Sequence, residues 1–475
     1  MDALKQELTQ LYIQKQTILN RIDYLEKQLA LKSEFQFTLS NLIEIDITNL
    51  SSVIIDELKQ LATFDNPQIA TLQKLRKPIY NIPKKIYSFE LSNNILKLPR
   101  GLTRDVIILL NSYQINYKMI DKRISIQNKF SKITYNLREE QLKACENISK
   151  KDFAICVAPP GFGKTLIGSK MIELRGVNTL VIVNKNMLLD QWIERFVDYF
   201  NISKKEIGFL GKGKNKLNNS LDIATMQSLK NNPQIIKNYS FVIVDECHHI
   251  PALTFEKIIK QFQGKYILGL SATPKRKDGM DPILFQQLGN IAYEIKRKYT
   301  NSNQLKIITT DFTTQCDNFA DLLTQLINDT HRNMLIIEQI LKYQNRKILL
   351  LTDRIEHIEN LEQLLNQHDI NYISIHGSLK KQEKETKIEQ INNANLVLAT
   401  TSYFGEGIDF PHLDTIIFAT PISYYGRLVQ YLGRIGRNGN SCLAIDILDD
   451  KNNFTKSAFR KRKEGYKQLH YKVTK

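Results

Sequence analysis

No apolar run in these 475 residues comes near the roughly 20 needed to cross a bilayer as a helix. The five cysteines, at 145, 156, 247, 316 and 442, have no paired spacing, so neither a disulfide framework nor a C-x-x-C zinc site is expected. A reducing interior fits them. The first residues are polar and charged and lack the apolar core of a signal peptide. The expected location is therefore intracellular: cytoplasm or nucleoid in a bacterium, nucleus or viral factory otherwise. There is no strong low-complexity tract and no second copy of any segment. Acidic residues are short as well, 49 against 66 Lys and Arg, which leaves a net charge of +17. That excess suits a polyanionic partner, because each cation on a phosphate releases a condensed counterion. A general richness in lysine would give the same total.

What is present is ordinary for a globular chain, 42% hydrophobic and 24% charged, but too long for one core. Two or three domains are expected. Residues 1–32 carry Leu4, Leu8, Leu11, Lys15, Ile18, Ile22, Leu25 and Leu29 in a 4-3 alternation. This reads equally as a coiled coil with a polar Lys15 in its seam, or as an amphipathic helix packed on its own protein. Residues 33–85 are harder to read, with Pro78 and Pro83 marking a linker. From 86 to about 128, a strand, a turn at Pro99–Gly101, a helix and a strand suggest that 33–128 is a small α/β module with its linker.

From 130 the pattern becomes short apolar runs between amphipathic stretches. "AICVAP", "TLVIVN", "LDIAT", "FVIVDE" and "YILGLSAT" are buried-strand candidates, and "KILLLTD", "NYISIHG", "NLVLATT" and "TIIFATP" repeat the pattern after 303. Two consecutive doubly wound α/β domains are expected, 130–300 and 303–475. Their functional loops should lie at the carboxyl ends of the strands.

"ICVAPPGFGKT" runs from a strand through a glycine loop into a helix. Backbone N–H groups of Gly161 to Thr165 can form a nest for phosphate oxygens at the helix N-terminus. Lys164 would neutralise the β and γ phosphates and the Thr165 hydroxyl would bind Mg²⁺, with Pro160, Gly161, Phe162 and Gly163 shaping the loop. Ala158 stands where the strict pattern has its first glycine. In "FVIVDECHHI", Asp245 would hold Mg²⁺ through its hydration shell and Glu246 would orient and deprotonate the attacking water. His248 is better read as a hydrogen-bonding relay than, with Cys247 and His249, as a zinc ligand, since no second ligand cluster has zinc-like spacing. "QYLGRIGR" is a glycine-flanked basic turn. By itself it is a surface loop, a nucleic-acid contact or half of an active site.

The order "APPGFGKT", "VDECHH", "LSATP", "ATTSYFGEGIDFP", "QYLGRIGR" resembles superfamily 2 helicases and translocases of the DExH type. Within them it looks closest to the xeroderma pigmentosum group B-like DNA helicases. It also resembles helicases encoded with primases in bacterial mobile conflict elements. The resemblance covers about 130–450, and "LPRGL" is similar, more weakly, to the small domain preceding the motor in those relatives.

The resemblance implies two tandem RecA-like domains that hydrolyse ATP with Mg²⁺ and move along DNA, 3′ to 5′. Arg434 and Arg437 would complete the ATP site as arginine fingers, making hydrolysis depend on cleft closure. Gln430 would sense the nucleotide, and Gly407 and Asp409 would line the cleft opposite ATP. Gln141, with Arg138 near it, would read adenine; Ser271 and Thr273 would link hydrolysis to strand contact. Nucleic-acid backbone contacts would come from Asn184, Lys185, Thr225, Gln227, Ser228, Thr400 and Thr401. Trp192, the one tryptophan, could stack on a base, though helix packing suits "LLDQWIERF" better. "GKGK" at 211–214 is a phosphate loop or a hairpin. The stretch Lys451–Lys475 is a basic helix or a solvated tail. Two competing functions remain: an RNA helicase, or a non-hydrolysing nucleic-acid scaffold assembled through residues 1–32. The joint presence of Lys164, Thr165, Asp245, Glu246, Arg434 and Arg437 argues against the scaffold.

Overall fold

The computed structural model describes residues 7, 8, 10–12, 14–18, 21, 35–76, 78–80, 82–159, 161–249, 252–273, 278–295, 303–404, 412–422, 425–433, 435 and 441–474. The chain divides into two compact units. One holds 1–156, 167–270 and 274–293; the other holds 157–166, 271–273 and 294–475.

The first unit opens with a five-stranded sheet: β1 (Phe35–Leu39), β2 (Leu42–Asp46), β5 (Glu90–Ser92), β6 (Ile95–Pro99) and β7 (Tyr117–Asp121), in the order β5-β6-β2-β1-β7. Alternating Phe37 and Leu39, Ile43 and Ile45, and Leu96 and Leu98 face one core. The helices Ser52–Leu61 and Thr103–Ser112 close it with Ile54, Leu58, Val106 and Leu110. Residues 33–85, read as hard to assign and partly as linker, therefore supply two of the five strands and one covering helix. A short antiparallel pair, β3 (Thr63–Asp65) and β4 (Lys85–Tyr87), brings Phe64 and Ile86 onto Met280 and Ile283.

"LPRGL" fastens this module to the next sheet. Arg100 is fully buried, and its guanidinium donates to the carbonyls of Gly264 at 2.9 Å and Phe262 at 2.6 Å. It lies 4.5 Å from the Phe262 ring centroid. Burial, aided by the Arg123 charge, pushes its pKa down to about 9. At Gly101 a Cβ would stand 2.5 Å from the Gln286 carbonyl oxygen, so no side chain fits there.

The first parallel sheet contains β8 (Phe153–Val157), β9 (Thr179–Val183), β10 (Gly208–Gly211), β11 (Lys214–Lys216), β12 (Leu221–Thr225), β13 (Phe241–Val244), β14 (Tyr266–Ser271) and β15 (Ile291–Glu294). Its order is β11-β10-β12-β9-β13-β14-β8-β15. β9, β12 and β13 are buried along their whole length, as runs covered on both faces should be. The edge strand β11 turns back antiparallel on β10 through Lys212 and Gly213, at φ 54° and 71°. "GKGK" is thus a hairpin of the type that requires positive φ at both central residues. Lys212 Nζ lies 2.5 Å from Asp190 Oδ1.

The second parallel sheet contains β16 (Gln304–Thr309), β17 (Ile348–Thr352), β18 (Ile373–Ile375), β19 (Leu396–Thr400), β20 (Thr415–Phe418), β21 (Leu443–Leu448) and β22 (Lys472–Thr474). Its order is β18-β19-β17-β20-β21-β16-β22, and every neighbouring pair is parallel. All nine strands read from the sequence after 130 are present, and the fold class is two tandem doubly wound domains. β10, β11, β15, β16, β21 and β22 were missed.

The solvated-tail reading of the last 25 residues is corrected. They form the helix Asn453–Gln468 and then β22. Inside the fold, Arg462 donates to both carboxylate oxygens of Asp446, at 2.8 and 2.9 Å, and to the Ile422 carbonyl at 2.8 Å. At the other end, the described residues between 7 and 21 are helical and exposed, with Leu8, Leu11 and Ile18 more than half accessible. Leu4, Ile22, Leu25 and Leu29 of the heptad seam lie outside the described residues. No helix among the described residues is long and apolar enough to cross a membrane.

Candidate functional site

β8 ends in the loop that the sequence marks for phosphate. Gly161 and Gly163 sit at φ 74° and 92°, where L side chains are strained, and Phe162 N–H donates to the Pro159 carbonyl at 3.2 Å. The twelve-residue helix Lys164–Arg175 starts immediately afterwards, so its unpaired amides and positive dipole end meet the loop. Lys164 is buried, with Nζ 3.4 Å from the Ala158 carbonyl oxygen, and Thr165 is half-buried. Ala158 departs from the strict glycine pattern without strain. Its φ is not positive, its side chain is buried, and its N–H donates to the Ser271 carbonyl at 2.9 Å. Pro160 lies outside the described residues.

Asp245 follows the last residue of β13, and its N–H donates to Ile182 O at 2.9 Å. It is buried. Trp192 Nε1–H donates to its Oδ2 at 2.8 Å, and the N–H of Glu246 donates to its Oδ1 at 2.9 Å. Glu246 has φ 45°, a left-handed conformation that costs a non-glycine residue about 1–3 kcal/mol and clusters at functional sites. His248, buried, places Nδ1 3.5 Å from Glu246 Oε2. A fixed carboxylate with a second one held beside a histidine can keep a hydrated divalent cation and orient a water. Among the described residues, no group of three or more His, Cys, Asp and Glu could itself enclose a metal ion.

Ser271, the last residue of β14, and Thr273 are both buried; Thr273 N–H donates to Ser271 Oγ at 3.1 Å. Gln141 is buried in the first turn of the helix Glu139–Ser149, where its Oε1 accepts the N–H of Arg138 at 2.8 Å. Gln430 is buried in the helix Tyr425–Leu432, and Gly433 N–H donates to Val429 O at 2.9 Å. Gly407, Asp409, Arg434 and Arg437 lie outside the described residues.

The backbone-contact candidates separate into two groups. Lys185 and Gln227 are exposed, and Asn184 and Ser228 are half-buried. Thr225, Thr400 and Thr401 are buried with inward-facing roles. Thr225 Oγ1 caps its helix by accepting Ser228 N–H at 3.3 Å, and the Thr401 hydroxyl donates to Asp353 Oδ1. Trp192 is also inside, edge-on to Phe196 at 5.3 Å. Base stacking by Trp192 is therefore excluded in favour of packing.

Residues 134–276 match the family described as type III restriction enzyme, res subunit, and 331–439 match the helicase conserved C-terminal domain. The chain belongs to the superfamily 2 helicases. This helicase is 27% identical over 388 residues to a protein of Acanthamoeba polyphaga mimivirus that carries the name ATP-dependent RNA helicase, covering 75% of this chain and 73% of the relative. It is 28% identical to a protein of Escherichia phage T5 that carries the name helicase D10, covering 69% and 74% of the two chains. It is also 24% identical to the DNA 3′-5′ translocase XPB2 of Sulfurisphaera tokodaii, covering 63% and 78%. ATP use follows from the two helicase families.

Proposed function

We propose that this helicase hydrolyses ATP with Mg²⁺ and uses the reaction to move 3′ to 5′ along DNA. The observation that carries the proposal is the loop bent at Gly161 and Gly163 onto Lys164, in a sheet whose next-but-one strand delivers Asp245. A metal ion bound there would neutralise charge on the phosphates. The protein's own groups do the rest. Loop amides and Lys164 hold the β and γ phosphates, while Thr165 and Asp245 would hold the hydrated cation. Glu246, turned by its own backbone and steadied by His248, orients the attacking water and takes its proton. Arg434 and Arg437 stabilise the charge on the transferred group, Gln430 responds to it, and Gly407 and Asp409 face the nucleotide. Gln141 and Arg138 read the adenine, and the Ser271–Thr273 turn links hydrolysis to strand contact.

Contact to the nucleic-acid backbone falls to Asn184, Lys185, Gln227 and Ser228, and to backbone amides beside Thr225, Thr400 and Thr401. The helix Asn453–Gln468 adds Lys456, Arg460, Lys463 and Lys467, exposed at the 4-3-4 spacing of one helical face. None of the four is in an ion pair among the described residues. Residues 1–32 are assigned to self-association or a helical partner, since Leu8, Leu11 and Ile18 are left uncovered.

DNA is favoured by the XPB2 relative, and RNA by the mimivirus relative. ATP hydrolysis measured with single-stranded DNA, duplex DNA and RNA decides between them. Displacement on duplexes with a 3′ or a 5′ overhang decides direction: unwinding from the 5′ overhang alone would reject the proposed polarity.

A further inference from the structure

We infer that Trp192 is a positioning residue of the nucleotide site, fixing the Asp245 carboxylate and the phosphate-loop helix through one side chain. The helix Asn186–Phe200 follows β9, and β9 pairs in parallel with β13, whose next residue is Asp245. This neighbourhood brings the indole N–H to 2.8 Å from Asp245 Oδ2, with Trp192 only 1% and Asp245 only 7% exposed. Indole is a donor only, so the contact requires an acceptor and holds Oδ2 in place. The Glu246 N–H holds Oδ1. Two donors on two different oxygens fix the plane of the carboxylate.

The far edge of the same ring reaches the other half of the site. Gly168 lies three residues after Thr165 on the helix Lys164–Arg175, one turn along nearly the same face. A Cβ at Gly168 would stand 3.0 Å from Trp192 Cη2 and 3.2 Å from Leu270 Cδ1. The glycine thus lets the ring lie against the helix backbone. One buried side chain therefore sets both the carboxylate and the helix that carries Thr165. Partners of this indirect kind are worth about 10–100-fold in metal affinity or activity elsewhere.

The inference rests on Asp245 being the Mg²⁺ carboxylate, and the test separates the two ideas. Binding of a fluorescent ADP analogue to the full chain is titrated with Mg²⁺ in the native protein and in Trp192→Phe, which keeps a ring but loses the donor. The expected result is a rise of about 10–100-fold in the Mg²⁺ concentration needed by the variant, with Mg²⁺-free nucleotide affinity within about twofold of native. Mg²⁺-dependent binding that is the same in both proteins overturns the inference alone. Native binding indifferent to Mg²⁺ overturns the metal reading and the inference with it. Because Trp192 is the one tryptophan, a second measurement survives even if the variant does not fold. Native tryptophan emission should change when Mg²⁺ and ADP are added together and not with ADP alone. Unchanged emission under proven Mg²⁺–ADP binding overturns the inference.

Discussion

The first parallel sheet places Lys164 beyond β8, Asp245 and Glu246 after β13, and Ser271 at the end of β14. The second holds two buried ion pairs, one to Asp449 directly after β21 and one to Asp446 inside β21. Arg332 and Asp449 pair at 2.7 Å with both side chains fully buried, and Arg462 and Asp446 pair at 2.8 Å almost as deeply. The backbones differ in the same sense. Gly161, Gly163 and Glu246, within six residues of the ends of β8 and β13, have positive φ, whereas none of the described residues in the six positions after each of β17 to β21 does. A buried ion pair marks how a domain is held together; a strained backbone at a strand's carboxyl end marks where chemistry is expected.

The largest effect should come from the second sheet, and in stability. Arg462→Met leaves Asp446 buried without its guanidinium, which should cost about 3–5 kcal/mol in chemical denaturation. Turnover per folded molecule should stay near native. The mirror-image change is Lys164→Ala. Removing one electrostatic partner of a reacting group costs about 10²–10³ in rate, roughly 2.7–4 kcal/mol of barrier, while the melting temperature should hold. If either variant shows the other's phenotype, the contrast between the sheets fails.

A gentler probe of the second sheet is pH. His357 is buried between Thr352 Oγ1 at 2.8 Å and Asn333 Oδ1 at 2.9 Å. Burial, with the Arg332 charge nearby, lowers its pKa to about 3. The unfolded chain protonates this residue near 6.5 and the folded chain does not. Its contribution is therefore complete above pH 6.5 and lost as pH falls towards 3. Between pH 6.5 and 5 the loss should be about 1.6 kcal/mol, and His357→Gln should flatten that slope. The smallest effect should come from the exposed face of the last helix. Replacing Lys456, Arg460, Lys463 and Lys467 by Gln should lower the log–log salt slope of single-strand binding by up to about 3, with saturated turnover unchanged. A native slope would remove this face from the nucleic-acid surface.

What could be read from the sequence was local. Glycines before Lys164, paired carboxylates after an apolar run, and buried strands such as "FVIVDE" announce themselves within ten residues. What could not be read depends on neighbours that only the fold supplies. Trp192 meets Asp245 because β9 lies beside β13, and Arg100 is buried because Phe262 and Gly264 present carbonyls to it. Arg462 looked like one more cation in a basic run until Asp446 on β21 gave it a partner. Thr400 and Thr401 sit at a strand end, as a backbone contact should, yet both are buried and Thr401 bonds Asp353. The strands β16 and β21 were overlooked because "QLKIIT" carries polar Gln304, Lys306 and Thr309, and "LAIDIL" places Asp446 inside an otherwise apolar run.

Glu246, held in its left-handed turn, is the residue we propose to activate water at an ATP site. The direct test is ATP binding and steady-state hydrolysis by native protein and Glu246→Gln, with and without saturating single-stranded DNA. Nucleic acid should stimulate the native enzyme. The variant should bind Mg²⁺–ATP with near-native affinity, hydrolyse it about 10²–10⁴-fold more slowly, and hold nucleic acid at least as tightly with ATP present. A variant that hydrolyses ATP at the native rate, or that no longer binds it, would rule Glu246 out as the water-activating base.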